Sequence, residues 1–566
     1  MGKINAMERE QLDELVLKLV EAAADRGDDH VRIYSCGPTV YDYPHVGHLR
    51  TAVVIDVLRR WLEAGHGVKS TLVSNLTDID DKIVQRAIRD GVDWRQLGTK
   101  YGREYDKALE ALDVSLPDVQ PIASGWVHEM GELIQRLLNR GHAYIGSDGS
   151  IWFSVASLDS YGSLTRQAGQ STSSTEAKAS LTADDESHAK RDPRDFALWK
   201  RASGDDLKLG SYWNLVEYAH CPDGSFPELS SDSGVTEWEE ECPDSREHGE
   251  RCVVHGYSIP GRPGWHTECV AMSLGVLGDR FDLHAGGVDL RFPHHENELA
   301  QAAATGHEFA ENWLHVGWVT RGGEKMSKSK GNGLSAEDAI IFPGPWATRY
   351  LLLSAKPTSP LGLPDGPALR APDKTRKRIL DLAAAERELY LSAGLMTGDG
   401  DESIALRGSY AQSGHEATGR LAADSETAAI ITMRREELES RFAEAMDAMA
   451  TPEALAVLHA AIDLLGDAIK TGDAVLAHEA MGTLSKQLNV LGLDPSSKAY
   501  VEHYGQIAEN GARRSTGESK WIEAASETIR ACRADRRWEA SDAVRSVAIA
   551  AGYQVHINRD DVQISK

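Results

Sequence analysis

The stretch VRIYSCGPTVYDYPHVGH, residues 31–48, decides the fold class. Its first six residues predict a short buried strand, and the Gly/Pro turn that follows opens into the helix LRTAVVIDVLRRWLEAG. A second strand pattern, STLVSNLTDIDD, begins at residue 70 and leads into another helix. Strand, glycine turn, helix and strand form a βαβ unit, which predicts a doubly wound α/β domain with a parallel sheet. Ligands of such sheets bind at the carboxyl ends of the strands, beside helix N-termini.

The composition is typical of a globular chain with several domains. The 566 residues predict about three to five domains, and the 41 % hydrophobic and 26 % charged fractions argue against global disorder. No apolar run reaches the roughly 18–20 residues that span a bilayer, and the N-terminus lacks the apolar segment of a secretory signal. We therefore expect a cytoplasmic protein that does not bind membranes.

The charge and the cysteines exclude two further classes of protein. Lys and Arg number 61 against 87 Asp and Glu, so the net charge of −26 excludes a simple basic nucleic-acid binder. Any polyanion must bind where positive charge is gathered locally. Six scattered cysteines are too few for a disulfide scaffold of this size, which indicates reduced or metal-bound thiols.

Two motifs carry most of the chemical information: HVGH at 45–48 and KMSKS at 325–329. Alone, the first could be a helix cap with a packed histidine, and the second could be a solvated basic loop. Together they suit the binding of a nucleoside triphosphate. The helix start attracts phosphate, and His45 and His48 can donate hydrogen bonds to an α-phosphate that gains charge in a transition state.

The remaining residues of the two motifs extend this interpretation. Gly47 lets a base or ribose approach the backbone closely. Lys325 and Lys328 can close over the β- and γ-phosphates and then release pyrophosphate. The pair of motifs resembles the signatures of class I aminoacyl-tRNA synthetases. That resemblance implies a class I Rossmann-like catalytic domain with an inserted connective region, followed by a helical bundle and a small C-terminal α+β domain.

A set of metal-binding residue types is spread over three blocks of the chain. His294 and Glu298 are four residues apart, so they share one face of a helix. With Cys36 and Cys269 they form two thiolates, an imidazole and a carboxylate, a set that suits zinc. Two core cysteines and a surface ion pair are the alternative explanation. His295 is an alternative ligand, but Leu299 rather than an acid follows it one turn later.

Six blocks resemble the cysteinyl-tRNA synthetase family in particular. They are CGPTVYDYPHVGH at 36–48, NLTDIDDKI at 75–83, RDFALWK at 194–200, GRPGWHTECVAMS at 261–273, HAGGVDLRFPHHENELAQ at 284–301 and KMSKSKGN at 325–332. The resemblance implies one zinc ion per chain, held by Cys36, Cys269, His294 and Glu298. It also implies that Thr77 and Trp265 line the cysteine pocket and that Gly287 and Asp289 lie against the ribose or adenine of ATP.

The implied reaction has two steps. L-cysteine and ATP, accompanied by Mg²⁺, give cysteinyl adenylate and pyrophosphate, and the cysteine then passes to the 3′ end of its tRNA. His45, His48, Lys325 and Lys328 would stabilise the phosphates. Zinc would bind the substrate thiolate, because the hydroxyl of serine is a far poorer ligand at neutral pH. The family expectation is a monomer.

The tRNA contacts are expected in the C-terminal third. The tail carries Arg530, Arg533, Arg536, Arg537 and Arg545 near Trp538 and Asp542, which suits single-stranded anticodon bases. We select Arg533, Arg537, Trp538 and Asp542 as candidate tRNA contacts. A solvated helix face is the alternative explanation. The ending NRDDVQISK departs from the Gly-Thr-Thr-Trp stretch common in the family.

The predicted domain boundaries follow the motifs and two inserts. They are 1–135 and 261–355 for the two halves of the catalytic domain, 136–260 for the connective insertion, 356–515 for the helical bundle with a loop insert near 397–425, and 520–566 for the anticodon-binding domain. Residues 168–190 are rich in Ser, Thr and charge, as in an exposed loop. The acidic stretch 203–258 holds Cys221, Cys242 and Cys252, and its spacing matches no standard zinc finger.

Three other functions compete with this interpretation. The cysteine ligase of mycothiol synthesis resembles the catalytic half, but it lacks an anticodon domain, and residues 371–566 argue against it. A non-catalytic RNA-binding paralogue is expected to have lost its motif histidines, its zinc ligands or KMSKS. A synthetase for another amino acid is disfavoured by the four-ligand set.

Overall fold

The computed structural model describes most of the catalytic and helical regions. Its described residues are 12–165, 189–219, 236–241, 253–326, 333–393, 395, 425–504, 554–557 and 562–565. Among them, no helix is both long enough and apolar enough to cross a membrane.

The catalytic domain begins with the strand–helix–strand unit that the sequence predicts. Its elements are α1 (Leu15–Asp25), β1 (His30–Ser35), α2 (Val46–His66), β2 (Lys69–Ser74), α3 (Asp81–Asp90), α4 (Trp94–Ala111) and α5 (Val127–Asn139). Strands β1 and β2 pair in parallel along their whole length. Helix α2 begins where the His45 side chain accepts the Gly47 N–H, and it ends at Gly67, whose φ of 68° favours glycine.

The connective region is an antiparallel sheet. Its elements are β3 (Ala143–Ile145), β4 (Ile151–Phe153), β5 (Phe196–Arg201), α6 (Gly204–Leu209), β6 (Trp213–Ala219), β7 (Thr236–Glu241) and β8 (Val253–Pro263). The strand order is β3–β4–β5–β8–β6, and β7 also pairs with β8. Part of the predicted insert at 203–258 therefore belongs to the sheet, because a stretch without helical period can still form strands. Arg262 contacts Asp206 at 2.6 Å and Asp81 of α3 at 2.5 Å, which ties the sheet to the catalytic half.

The second half of the catalytic domain completes a four-stranded parallel sheet. It comprises α7 (Trp265–Leu277), β9 (Arg280–Gly287), α8 (Glu296–Thr305) and β10 (Phe309–Val316). The strand order is β10–β9–β1–β2. The chain builds outward to β2 on one side and to β10 on the other, so the strand order reverses between β1 and β9. Ligands of open α/β sheets bind at such a reversal, outside the carboxyl ends of the strands.

A small sheet and a helical bundle follow the catalytic domain. Their elements are β11 (Val319–Arg321), β12 (Glu324–Lys325), α9 (Ala336–Ile341), α10 (Pro345–Leu352), β13 (Leu361–Leu363), α11 (Pro372–Ser392), α12 (Ser425–Asp447), α13 (Thr451–Lys470), α14 (Ala474–Leu491), β14 (Gln554–Ile557) and β15 (Val562–Ser565). The small sheet has the order β12–β11–β13, and β14 pairs with β15 in an antiparallel hairpin.

The bundle packs directly on helix α2. Its apolar residues belong to the same continuous buried core as the parallel sheet. The Trp61 Nε1–H donates to Asp447 Oδ1 at 2.8 Å, and His66 Nε2 lies 2.7 Å from the same oxygen. The α/β domain with its parallel sheet, followed by a helical region, confirms the predicted fold class.

Candidate active site

A cavity of about 540 Å³ lies at the strand-order reversal between β1 and β9. Its walls come from the ends of β1, β9 and β10, from the start of α2, and from the root of the KMSKS segment. They include Cys36, His45, Gly47, His48, Trp265, Gly287, Asp289, Gly317, Trp318, Val319 and Met326. One cavity therefore joins residues of both signature motifs to a candidate metal ligand.

The two motif histidines stand at the first turn of α2. His45 Nδ1 accepts the Gly47 N–H at 3.1 Å, and His48 Nδ1 accepts the His45 N–H at 3.4 Å. Their rings stack with centroids 3.8 Å apart. A Cβ at position 47 would lie 2.9 Å from the His45 ring, so the glycine allows this cap to form. The helix cap that the sequence offers as the alternative explanation of HVGH is therefore present, and a contact of these histidines with phosphate stays a prediction.

The chain passes very close to Asn75 as it leaves β1. A Cβ at Gly37 would lie 1.6 Å from the Asn75 carbonyl oxygen, so only glycine fits there. Asn75 Oδ1 accepts the Gly37 N–H at 2.9 Å and the Tyr34 hydroxyl at 3.2 Å, and it lies 3.8 Å from Cys269 Sγ. Sequence reasoning assigned no role to Asn75, although it opens the NLTDIDDKI block.

The four predicted zinc ligands converge beside the cavity. Cys36 Sγ lies 3.7 Å from Cys269 Sγ and 3.5 Å from Glu298 Oε1, and the His294 Nε2–H donates to that oxygen at 2.7 Å. One ligand atom from each residue falls within 4.8 Å of all the others. Two sulfurs on a tetrahedral zinc ion with bonds of about 2.3 Å are expected about 3.8 Å apart. The cluster therefore fits a zinc ion in both donor chemistry and sulfur spacing.

A second grouping shares two of these residues. Cys36, His284, His295 and Glu298 also offer atoms within 4.8 Å of one another. His295 Nε2 lies 3.4 Å from Cys36 Sγ, and its Nδ1 lies 2.9 Å from His315 Nε2. His284 Nε2–H donates to Glu298 Oε2 at 2.6 Å. The first grouping holds two thiols and the second only one, so the first is the better match for zinc.

His266 and Trp265 pack on the other side of His294. His266 Nδ1 lies 2.8 Å from His294 Nδ1. The Trp265 ring stacks on the His294 imidazole with centroids 4.1 Å apart. Sequence reasoning missed His266, and its place inside the GRPGWHTEC block was the available signal. The orientation of His294 is thus fixed from two directions, by Glu298 and by this pair.

The ionisable ligands of the cluster set one another's pKa values. Burial raises the pKa of the Cys36 thiol well above its usual range, and the hydrogen bond from Cys36 lowers the pKa of Cys269 to about 6. Burial alone would lower the pKa of His294, but the Glu298 carboxylate and Cys269 together outweigh it and raise that pKa to about 10. Burial would raise the pKa of Glu298, but His294 and His284 hold it well below its usual range. The Glu298 carboxylate is therefore paired with a positively charged His294, and the Cys269 thiolate adds a second negative charge.

Thr77 is buried beneath the cavity and is not part of its wall. Its hydroxyl donates to Glu268 Oε2 at 3.0 Å and accepts from Asn75 Nδ2 at 3.2 Å. Burial raises the pKa of Glu268 well above its usual range. A contact between Thr77 and the substrate stays a prediction.

The remaining predicted site residues are described only in part. The backbone of Lys325 pairs with Thr320 at the end of β12, and Met326 reaches the cavity. Outside the described residues lie Lys328, the tail residues Arg530, Arg533, Arg536, Arg537, Trp538, Asp542 and Arg545, and the insert residues His220, Cys221, Cys242, His248 and Cys252.

Comparison with known proteins agrees with this geometry. The sequence profile of the tRNA synthetases class I (C) catalytic domain matches residues 23–216 and 253–367. The fold is similar to that of Mycobacterium tuberculosis methionyl-tRNA synthetase bound by methionyl-adenylate, with a TM-score of 0.52 and 15 % identity over 83 % of this chain and 93 % of that one.

Two curated relatives match over most of their length. A cysteine–tRNA ligase of Beutenbergia cavernae is 38 % identical over 526 residues, which cover 93 % of this chain and 92 % of the relative. A cysteine–tRNA ligase of Leifsonia xyli subsp. xyli is 38 % identical over 489 residues, 85 % of this chain and 84 % of the relative. Since this similarity extends through the catalytic domain and the helical region, the chain belongs to the cysteinyl-tRNA synthetase family of class I aminoacyl-tRNA ligases.

Proposed function

We propose that the cavity activates L-cysteine with ATP and passes the cysteine to its tRNA. Cysteine would bind at the end that holds Cys36 and Trp265, and ATP at the end that holds His45 and His48. The observation that carries this proposal is the continuity of one cavity of about 540 Å³ between the two ends. A thiol-recognising cluster and a phosphate-binding helix start then act on one substrate pair.

The tautomers of the motif histidines support a phosphate site. His45 and His48 each accept a backbone N–H at Nδ1. A neutral imidazole that accepts at Nδ1 carries its proton on Nε2. Both rings are therefore in the form that can donate to α-phosphate oxygens, where negative charge grows during the reaction. The start of α2 adds a favourable helix dipole.

The other nucleotide contacts follow from the cavity wall and the motifs. Gly287 and Asp289 would lie against the ribose or adenine, and Lys325 and Lys328 would contact the outer phosphates together with Mg²⁺. The cysteine carboxylate is already ionised near pH 7, so its in-line attack on the α-phosphorus needs no general base. Catalysis is then positioning together with stabilisation of phosphate charge.

We further propose that Cys36, Cys269, His294 and Glu298 hold zinc. When bound, zinc supplies a soft Lewis-acid centre for which a thiolate is a far better ligand than the hydroxyl of serine. The protein's own contribution is orientation: His284 fixes Glu298, and His266 fixes His294. Trp265 can pack over the substrate ammonium group. A site built around one specific bond can reject an isostere that an apolar pocket would accept.

The domain roles are proposed with the boundaries predicted from the sequence. The antiparallel sheet within 136–260 would be the connective insertion between the catalytic halves, 1–135 and 261–355. The helices within 356–515 would contact the tRNA stem. The segment 520–566, with Arg533, Arg537, Trp538 and Asp542, would bind the anticodon.

The test is ATP–pyrophosphate exchange with cysteine and with serine, followed by tRNA charging, on wild type and Cys269→Ser. We expect exchange with cysteine only, charging of the tRNA for cysteine, and loss of both activities and of bound zinc in the variant. Ser273→Ala is the matched control, because Ser273 is buried one turn later on α7 and bonds only the Val270 carbonyl among the described residues. Exchange without charging of any tRNA would instead indicate a small-molecule cysteine ligase. Absence of exchange with any amino acid would contradict the enzymatic proposal.

A further inference from the structure

Arg50 is a fully buried arginine in the first turns of α2, two residues beyond His48. Its guanidinium donates to backbone carbonyls: Nη1 to Gly317 at 2.7 Å, Ser359 at 2.8 Å and Trp318 at 3.2 Å, and Nη2 to Lys356 at 3.0 Å and Ala355 at 3.5 Å. Among the described residues, no carboxylate pairs with it. Burial lowers the pKa of Arg50 to about 10, so it stays charged near pH 7.

The carbonyls that Arg50 binds belong to two segments: the cavity wall at Gly317 and Trp318, and residues 355–359, which are hydrogen-bonded to that wall. Gly317 and Trp318 follow β10 directly and line the cavity together with Val319. The Gly317 N–H donates to the Pro357 carbonyl at 2.8 Å, which joins this wall to the segment that leads into β13. Strand β13 pairs with β11, and β11 pairs with β12, where Lys325 ends the strand. Arg50 thus connects the motif helix to the root of the second motif.

The segment that follows the KMSKS motif is also attached to the start of α2. The Val46 N–H donates to the Leu334 carbonyl at 3.2 Å, and the Ala336 N–H donates to the Pro44 carbonyl at 2.8 Å. Chain segments on both sides of the KMSKS motif are therefore anchored to residues 44–50. The second attachment uses only backbone groups, so Arg50 is the side chain whose replacement can test this connection.

We propose that Arg50 is a positioning residue that holds the ATP-facing wall at Gly317–Val319 against the helix that carries His45 and His48. The proposal rests on the proposed function for the identity of the ligand. An isolated buried charge is costly, so an apolar side chain would serve a purely structural contact at less expense. A planar guanidinium with several donors fixes carbonyl groups from two segments in one geometry.

The test is steady-state ATP–pyrophosphate exchange on Arg50→Lys, with KM measured separately for ATP and for cysteine. Lysine keeps the charge but cannot reach carbonyls on two segments in a planar fork. We expect the KM for ATP to rise about 10- to 100-fold, because a wall displaced by an ångström weakens an aligned site by that order. The KM for cysteine should change less than about twofold. An unchanged KM for ATP in a folded variant would overturn the proposal.

Arg349→Lys is the matched control. Arg349 is equally buried and also binds backbone carbonyls, at Leu491, Leu112 and Asp113, but it does not touch the Gly317–Val319 wall. Unlike Arg50 it pairs with a carboxylate, that of Asp56, which lines a different part of the cavity. We expect a lower Tm with the KM for ATP within about twofold of wild type. An equal rise in the KM for ATP in both variants would reduce Arg50 to a general structural role.

Gly317→Ala tests the same wall independently if Arg50→Lys does not fold. A Cβ at Gly317 would lie 2.3 Å from the Ser359 carbonyl oxygen, so alanine pushes apart the two segments that Arg50 joins. The KM for ATP should rise as in Arg50→Lys. No rise would overturn the proposal. Failure of wild type to exchange at all would instead contradict the proposed function.

Discussion

The two ends of the cavity are built on opposite principles. At the sulfur end, beside Cys36, the residues Cys269, His294 and Glu298 are buried, and the Glu298 carboxylate pairs with His294. At the phosphate end, His45 and His48 face the cavity from the start of a helix and are fixed by backbone N–H groups. The first end relies on ionisable side chains held together. The second relies on backbone geometry.

Under the proposed function, this contrast matches the different requirements of the two substrates. A single sulfur atom has to be distinguished from oxygen, which requires rigid, desolvated groups of defined charge. A triphosphate has to bind and its pyrophosphate has to leave, which suits donors at an open helix start. Mutations at the sulfur end should therefore remove metal and activity together, whereas mutations at the phosphate end should lower the rate and spare the metal.

The largest effect is expected for Glu298→Gln. The amide cannot accept hydrogen bonds from both His284 and His294, and breaking the buried charge pair with His294 costs about 3–5 kcal/mol, so cysteine-dependent exchange should fall about 10³-fold. Bound zinc, measured by atomic emission, should fall with it. Glu296→Gln is the control on the same helix, because Glu296 bonds the backbone of Gly162 and Thr165 instead. Retention of zinc in Glu298→Gln would show that the Glu298 carboxylate is not needed to hold the metal.

A smaller effect is expected for His45→Asn. Asparagine is a good N-cap, so α2 and the Tm should be preserved, but the Nε2 donor is lost. The kcat for exchange should fall about 10²-fold, as for removal of one donor to a developing oxyanion, with zinc content unchanged. His45→Ala separates the two roles, because it should also cost about 1 kcal/mol of helix stability. If His45→Asn keeps the wild-type kcat, His45 acts only as a cap.

The sequence predicted the two ends unequally well. At the phosphate end, His45, Gly47 and His48 are adjacent, so the local motif contains most of the geometry. At the sulfur end the four ligands come from three separate blocks of the chain, and only the resemblance to a family favoured this set over unrelated core cysteines and an ion pair.

The supporting residues could not be predicted from local pattern. Arg50, Asn75, His266 and His284 act through tertiary contacts, such as that of Arg50 with Gly317, 267 positions away. A buried arginine or histidine in a helix or strand looks like any core position until its partners are known. The strands within 203–258 were missed for a related reason, because their pairing depends on β8 and on no periodicity of their own.

The smallest expected effect is the number of protons released when zinc binds, which depends on how the two thiols at the sulfur end are ionised. Without metal at pH 7, Cys36 is protonated because burial raises its pKa, while Cys269, with a pKa of about 6, is already a thiolate. His294 is protonated because Glu298 and Cys269 together overcome the effect of burial and raise its pKa to about 10. Metal ligation requires deprotonated thiols and a neutral imidazole, so zinc loading should release about two protons. Calorimetry in buffers of different ionisation enthalpy measures this number directly. Below pH 6 the number of released protons should approach three, since Cys269 then also carries a proton. A constant number between pH 5 and 7 would show that the two cysteines do not differ in ionisation.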